Sequence, residues 1–162
     1  MERYLEALAR VRKSSPLAQL YALVDGGQFA DTFKEAFPAN RGRSLFEGST
    51  DEPLAHAGPW LVDVEGERAL CNQLVESETT APLCSWIITS VPMQGLLQLL
   101  QLRMETKLPS GQFAVLRFFD PRVLHRLAST LTPPQREEFF TGIDEWHFHA
   151  TGQYFHIGRN HA

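Results

Sequence analysis

Three histidines near the carboxyl terminus have residue types and a spacing that could bind a metal ion. His147 and His149 are two positions apart in an alternating segment, so both side chains would lie on one face of a strand. A turn at Thr151-Gly152 could return the chain and bring His156 beside them. Three imidazoles can hold zinc, which makes a small metal-dependent hydrolase the alternative function. The same spacing suits polar positions on an exposed hairpin, and we favour that interpretation, with no metal, cofactor or catalytic residue.

Other residues that could act in catalysis lack the sequence frame that their chemistry needs. Ser85 and Ser90 are not part of a G-x-S-x-G motif, the strand–turn–helix frame of hydrolase nucleophiles. Gly26 and Gly27 follow an apolar run, but a phosphate-binding loop needs G-x-G-x-x-G or G-K-[ST], and neither is present. We therefore predict that the protein is not an enzyme.

The charged residues around Asp120 are better explained by structure than by catalysis. Asp120-Pro121 is a typical helix start, with the aspartate as N-cap and the proline at the first helical position, and Arg122 would lie in the first turn. Arg103 and Arg117 stand among apolar residues, and a buried arginine usually has a carboxylate partner. We expect an internal ion pair between one of these two arginines and either Asp25 or Asp120.

Composition restricts the class of protein. The chain has 162 residues, of which 43% are hydrophobic and 21% charged, a balance typical of one globular domain. Its net charge of −4 indicates no basic surface for nucleic acid. The most apolar stretch, 86–102, is interrupted by Pro92 and several glutamines and is not expected to cross a membrane. Because Cys71 and Cys84 form no C-x-x-C pair and no secretory signal is evident, we expect a cytoplasmic protein.

Hydrophobic periodicity predicts four strands, each followed by a helix, and a final hairpin. The strands are expected at 17–24, 60–64, 84–90 and 113–119. The helices after them are expected at 28–37, at 67–76, from Ser90 as N-cap to about Lys107, and at 121–131. A first helix at 2–12, a surface connection at 38–58, a short helix at 132–140 and a hairpin at 143–157 complete the pattern. This alternation favours an α/β fold in which helices flank a mixed β-sheet, in a single compact domain covering 1–162 with a C-terminal hairpin.

Several segments together carry a family resemblance. They are LYALVDGG at 20–27, LAHAGPWLVDV at 54–64, CSWIITSVPMQGLLQLLQLRMETKLPSGQFAVLRFFDPRVL at 84–124, and a weaker continuation, QREEFFTGIDEW, at 135–146. Their order and spacing resemble the adaptor, or chaperone, proteins that load effectors in bacterial type VI secretion. The resemblance covers 17–148 and leaves a short C-terminal extension, 149–162. It implies a non-enzymatic protein that binds a cognate secreted effector in the cytoplasm and promotes its loading onto the spike protein, VgrG.

The resemblance also singles out polar positions, which we interpret as structural first: Asp25, Arg103, Arg117, Asp120, Pro121 and Arg122. Relatives often have histidine where this chain has Gln101, so no role of that imidazole is implied. The residues that contact the partner are left open. Aromatic residues often dominate protein interfaces, so the candidate anchors are the tryptophans, although all three could equally be core: Trp60, Trp86 and Trp146.

Overall fold

The computed structural model describes residues 1–107 and 109–158. Its α-helices are α1 (Glu2–Val11), α2 (Gly26–Phe33), α3 (Arg68–Ser77), α4 (Met93–Met104), α5 (Pro121–Thr130) and α6 (Pro133–Phe140). Its strands are β1 (Gln19–Asp25), β2 (Arg43–Ser44), β3 (Pro59–Asp63), β4 (Cys84–Thr89), β5 (Glu105–Lys107), β6 (Phe113–Val115), β7 (Glu145–Ala150) and β8 (Gln153–Gly158). The end of the predicted C-terminal extension, 159–162, lies outside the described residues.

A six-stranded sheet organises the domain, in the order β2-β3-β1-β4-β7-β8. The predicted α/β fold, with helices flanking a sheet and a C-terminal hairpin, is confirmed. All of the described pairings are antiparallel, so the sheet is not mixed in strand direction. Alternation of strands and helices did not fix this direction, because the connections between paired strands, apart from the two-residue turn between β7 and β8, are long enough to allow either orientation.

Helices cover both faces of the sheet, and the alternation of side chains along β1 shows the division. Leu20, Ala22 and Val24 pack in a core with α1, α2 and α3, whereas Tyr21 and Leu23 pack in a second core with α4 and α5. Since β1 and β4 are central and covered on both faces, nearly all of their residues are buried. This explains their almost continuous apolar sequences.

The amphipathic pattern of α1 determines where the amino-terminal helix packs. Tyr4, Ala7, Leu8 and Val11 follow the i, i+3, i+4, i+7 spacing of one helix face, and all four are buried in the first core. The predicted helix at 2–12 is therefore confirmed. Among the described residues, none of the helices has both the length and the apolar character needed to span a membrane.

The predicted fourth strand, 113–119, is wrong in length and in place. Only Phe113–Val115 is a strand, and it pairs with β5 in a separate two-stranded sheet. The helix predicted to reach Lys107 ends at Met104, where the chain extends into β5. Gly111, whose φ is +85°, lies in the turn that reverses the chain. Phe118 and Phe119, the rest of the aromatic run, are buried in the second core without joining a strand.

Two further boundaries differ from prediction. Ser90 is not the N-cap of α4, because Pro92 occupies that position, and the Thr89 hydroxyl instead accepts a hydrogen bond from the Val91 amide at 3.0 Å. The connection 38–58 contains β2 and two 3-10 helices, Ala39–Arg41 and Glu52–Ala57. Its apolar pair, Leu45-Phe46, is buried in the second core. Gln101 secures this connection by donating to the carbonyl oxygens of Leu45 and Glu47.

Candidate functional site

Asp25 is a buried carboxylate at the junction of β1 and α2. Its Oδ1 accepts the Gln28 amide at 3.1 Å, which caps α2, and Arg117 Nη2 lies 3.3 Å from its Oδ2. Of the alternative ion pairs expected from the sequence, Arg117 with Asp25 is present, although the Arg117 side chain is 56% exposed and only the aspartate is buried. Burial raises the pKa of Asp25, while the Gln28 amide and the Arg117 charge oppose that rise. Asp25 is therefore held by two donors and has a clear structural role.

Asp120 has the same arrangement at the start of α5. Its Oδ1 accepts the Arg122 amide at 2.9 Å, and the Arg122 guanidinium donates to both carboxylate oxygens, from Nε at 3.0 Å and from Nη2 at 2.7 Å. Pro121 occupies the first helical turn, as the sequence predicts. Hydrogen bonding to Asp120 raises the pKa of Arg122, which keeps the guanidinium charged.

Close backbone packing surrounds the Asp25 cap. The Gly26 amide donates to the Gly58 carbonyl oxygen at 2.9 Å, and a Cβ added at Gly26 would lie 2.6 Å from that oxygen. Asp25 and Asp120 each accept a hydrogen bond from a backbone amide and form an ion pair with an arginine. Among the described contacts, neither aspartate lies beside a nucleophile. These contacts stabilise the first turns of α2 and α5, which supports a structural role for the motif residues.

Arg103, the remaining motif arginine, lies apart from both aspartates. Its Nη2 donates to the Thr141 carbonyl oxygen, and its guanidinium carbon lies 5.6 Å from the centre of the Phe139 ring. Burial lowers the pKa of Arg103 to about 10. Among the described residues it has no carboxylate partner, so the expectation of an ion pair holds for Arg117 and not for Arg103.

The three tryptophans proposed as partner anchors are all in the interior, the alternative that the sequence left open. Trp86 and Trp146 are fully buried and Trp60 is 7% exposed. Each indole nitrogen already has an internal acceptor, at 2.6 to 2.9 Å: a Glu78 carboxylate oxygen for Trp86, the Ser85 hydroxyl for Trp146 and the Ala55 carbonyl oxygen for Trp60. None of these rings is available to a partner in this conformation.

A polar network is buried where α1, α3 and β4 meet. Glu78 accepts hydrogen bonds from the Tyr4 hydroxyl at 2.7 Å and from Trp86 Nε1 at 2.6 Å, and His149 Nε2 lies 3.7 Å from its carboxylate. Burial raises the pKa of Glu78, while both hydrogen bonds oppose that rise. No sequence pattern indicates Glu78, because one of its partners, Tyr4, lies 74 positions away along the chain.

The histidines are divided between two places. His147 and His156 are directly opposite each other in the β7–β8 pairing, with ring centroids 4.7 Å apart, whereas His149 faces Glu78. The predicted approach of His156 to His147 is confirmed, but the three histidines do not form one ligand set. Glu145 takes the place of His149: its Oε2 lies 3.0 Å from His147 Nε2 and 3.4 Å from His156 Nε2.

His147 is the buried centre of this group, with 2% of its side chain exposed. Burial, assisted by the neighbouring His156, lowers the pKa of His147 to about 4, against the opposing charge of Glu145. The Tyr154 hydroxyl lies 2.6 Å from its Nδ1 and fixes the orientation of the ring. Arg10 Nη2 donates to both Glu145 oxygens, at 3.0 and 2.7 Å. Sequence reasoning did not identify Glu145 as a member of this group, although Glu145 and His149 are equally far from His147 along the chain.

Apolar side chains are exposed on the hairpin formed by β5 and β6. Phe113 and Val115 point to one face of β6, and they are 66% and 40% exposed. Leu102, in the last turn of α4, which leads into β5, is 78% exposed. We call Phe113 and Val115, which share one strand face, the hairpin patch. The two-stranded sheet that carries it lies outside the six-stranded sheet.

Comparison with known proteins gives one match. A family model described as a domain of unknown function, DUF4123, matches residues 20–138, which is more than half of the chain. No curated protein and no solved structure matches.

Proposed function

The chain belongs to the DUF4123 family, and from that premise we propose that it is a non-enzymatic adaptor of type VI secretion. The family is associated with effector adaptors of this secretion system. In this proposal the protein binds a cognate effector in the cytoplasm and promotes loading of that effector onto the spike protein. The matched segment, 20–138, contains the hairpin patch and both capping aspartates.

The hairpin patch is the observation that supports a binding role. Single exposed apolar residues are ordinary, but grouped ones often mark an interaction surface. Phe113 and Val115 share one face of a two-stranded sheet, and each is paired directly with a charged residue of the other strand, Phe113 with Lys107 and Val115 with Glu105. A face that combines apolar and charged side chains fits an amphipathic segment of a protein partner.

An adaptor that binds its partner through this patch needs no catalytic residues. The partner we propose is an effector segment whose apolar face is exposed before secretion. Covering that face removes apolar surface of both proteins from water and stabilises the bound form of the effector by mass action. The motif residues around Asp25 and Asp120 then keep the domain folded and make no contact with the effector.

The test compares variants of the patch with matched variants elsewhere. Phe113→Ser removes the largest exposed ring of the patch, while Leu17→Ser and Leu54→Ser remove exposed leucines, 80% and 55% accessible, outside it. Each tagged variant is used to purify partners from cells with an active secretion system. The co-purifying effector is then produced and its affinity measured by calorimetry.

We expect an effector to bind wild-type protein and both leucine variants equally. Loss of an aromatic hot spot costs about 2 kcal/mol or more, so Phe113→Ser should weaken binding about 30-fold. Equal affinity of Phe113→Ser and wild type would show that the patch is not the contact surface. If no effector binds the wild type in purified form, the adaptor function itself is wrong.

A further inference from the structure

We propose that Glu145, His147 and His156 form a binding site for a divalent transition-metal ion, with zinc as the first candidate. The three side chains offer two imidazole nitrogens and one carboxylate oxygen, and these atoms all lie within 4.8 Å of one another. Two histidines and one carboxylate, with a water molecule as fourth ligand, are an established zinc donor set. This site is independent of the adaptor function proposed above.

The spacing of the ligand atoms fits one metal ion. In a tetrahedral zinc centre with bonds of about 2.1 Å, neighbouring ligand atoms are about 3.4 Å apart. Glu145 Oε2 lies 3.0 Å from His147 Nε2 and 3.4 Å from His156 Nε2. The side chain of His156 is 31% exposed on the edge strand β8, so its ring has room to turn toward a shared ion.

The burial of the His147 nitrogen also points to a ligand. Among the described residues, His147 Nε2 is one of two buried side-chain nitrogens without a well-formed hydrogen bond, although Glu145 Oε2 lies 3.0 Å from it. A polar atom that is removed from water normally has a partner. Tyr154 holds the opposite ring nitrogen, Nδ1, which is how outer hydrogen bonds orient histidine ligands toward a metal.

The backbone holds the site in place before a metal arrives. Glu145 and His147 are two positions apart on β7, and His156 is paired directly with His147 from β8. All three therefore project from the same face of one hairpin. Ligands on paired strands keep their mutual distances better than ligands on loops.

Arg10 would compete with a metal ion for the Glu145 carboxylate. Its guanidinium holds both oxygens of Glu145, and 59% of its side chain is exposed. An exposed ion pair of this kind contributes little stability, so a metal ion can displace it. Removing the positive charge should strengthen metal binding.

The experiment measures metal binding to the full chain, produced without a histidine tag and stripped with a chelator. Co²⁺ is titrated while the visible absorption that reports tetrahedral coordination is followed, and Zn²⁺ affinity is measured by competition with a chromophoric chelator. The variants are His156→Asn and Glu145→Gln in the site, Arg10→Gln beside it, and two controls. The controls are His149→Asn and His125→Asn. His149 lies on the same strand face as the three ligands but outside the group, and His125 packs on Phe155.

We expect one equivalent of metal, at least tenfold weaker binding in His156→Asn and Glu145→Gln, and unchanged binding in both controls. Arg10→Gln should bind several times more tightly than wild type. Circular dichroism verifies that each variant is folded, and His156→Asn, altered at an exposed position, provides the test if Glu145→Gln does not fold. Absence of one-equivalent binding in the wild type, wild-type affinity in His156→Asn, or an equal loss in His149→Asn would each overturn the assignment.

Discussion

Replacing Asp120 with alanine tests whether the family motif is a structural support or a contact surface. The substitution removes the acceptor of the Arg122 amide and the partner of the Arg122 guanidinium. Loss of an aspartate N-cap costs about 1 kcal/mol. The Arg122 side chain is 52% exposed, so loss of its ion pair adds only about 0.5 kcal/mol. We expect Asp120→Ala to lower the free energy of unfolding by about 1.5 kcal/mol.

Two further variants separate these contributions. Asp120→Asn keeps a good capping acceptor but loses the charge, and Arg122→Ala keeps the cap but loses the pair. Each should therefore cost about 0.5 kcal/mol. Urea denaturation followed by tryptophan fluorescence measures all three values, with equal m-values as the condition for comparing them.

The same variants decide between the two roles of the motif. If Arg122→Ala destabilises the protein as much as Asp120→Ala does, the capping explanation is wrong. Stability of Asp120→Ala within 0.3 kcal/mol of wild type would also contradict it. Folded Asp120→Asn should bind the effector as wild type does; a loss of binding without a loss of stability would make Asp120 a contact residue.

Two further predictions concern buried polar residues. Because the pKa of His147 is about 4 in the folded protein and about 6.5 in an unfolded chain, the unfolded state binds more protons between these values. Stability should therefore fall, by at most about 3 kcal/mol, as pH decreases from 6.5 to 4, and His147→Gln should reduce this slope in urea titrations with chelator present. Glu78→Ala leaves the Tyr4 hydroxyl and Trp86 Nε1 without their acceptor and should cost about 2 to 5 kcal/mol. Glu78→Gln, which retains an acceptor oxygen, should cost less in the same denaturation assay; equal losses would contradict this explanation.

Features set by neighbouring residues could be predicted from the sequence. Asp120-Pro121 starts a helix because the cap and the proline act within one turn, and Thr132 followed by prolines starts α6 for the same reason. The Arg117–Asp25 pair does not belong with these features, because its residues are 92 positions apart and Arg117 is 56% exposed, so the buried Asp25 is the group that needs a partner. Short-range physics was sufficient for the two helix starts.

Features set by distant residues could not be predicted in the same way. The sequence Phe113–Phe119 is rich in residues typical of strands, but only tertiary packing decides that Phe118 fills the second core while Phe113 stays outside it. Glu78 meets Tyr4 across 74 positions of sequence, a contact that no local pattern indicates. The two tryptophans of β4 and β7 were ambiguous as anchors for the same reason, since burial depends on which helices cover each face.

The division of the sheet into two faces separates the proposed partner surface from the proposed metal site. Tyr4, in the core that contains α1 and α3, contacts the His147 ring edge-on, so the proposed metal ligands lie on that face. The hairpin patch follows α4, which packs on the opposite face. Because the central strands β1 and β4 are buried between these layers, we expect a substitution on one face to leave the contacts of the other face unchanged. Substitutions of Phe113 and of the ligand group on β7 and β8 should therefore have additive effects on stability.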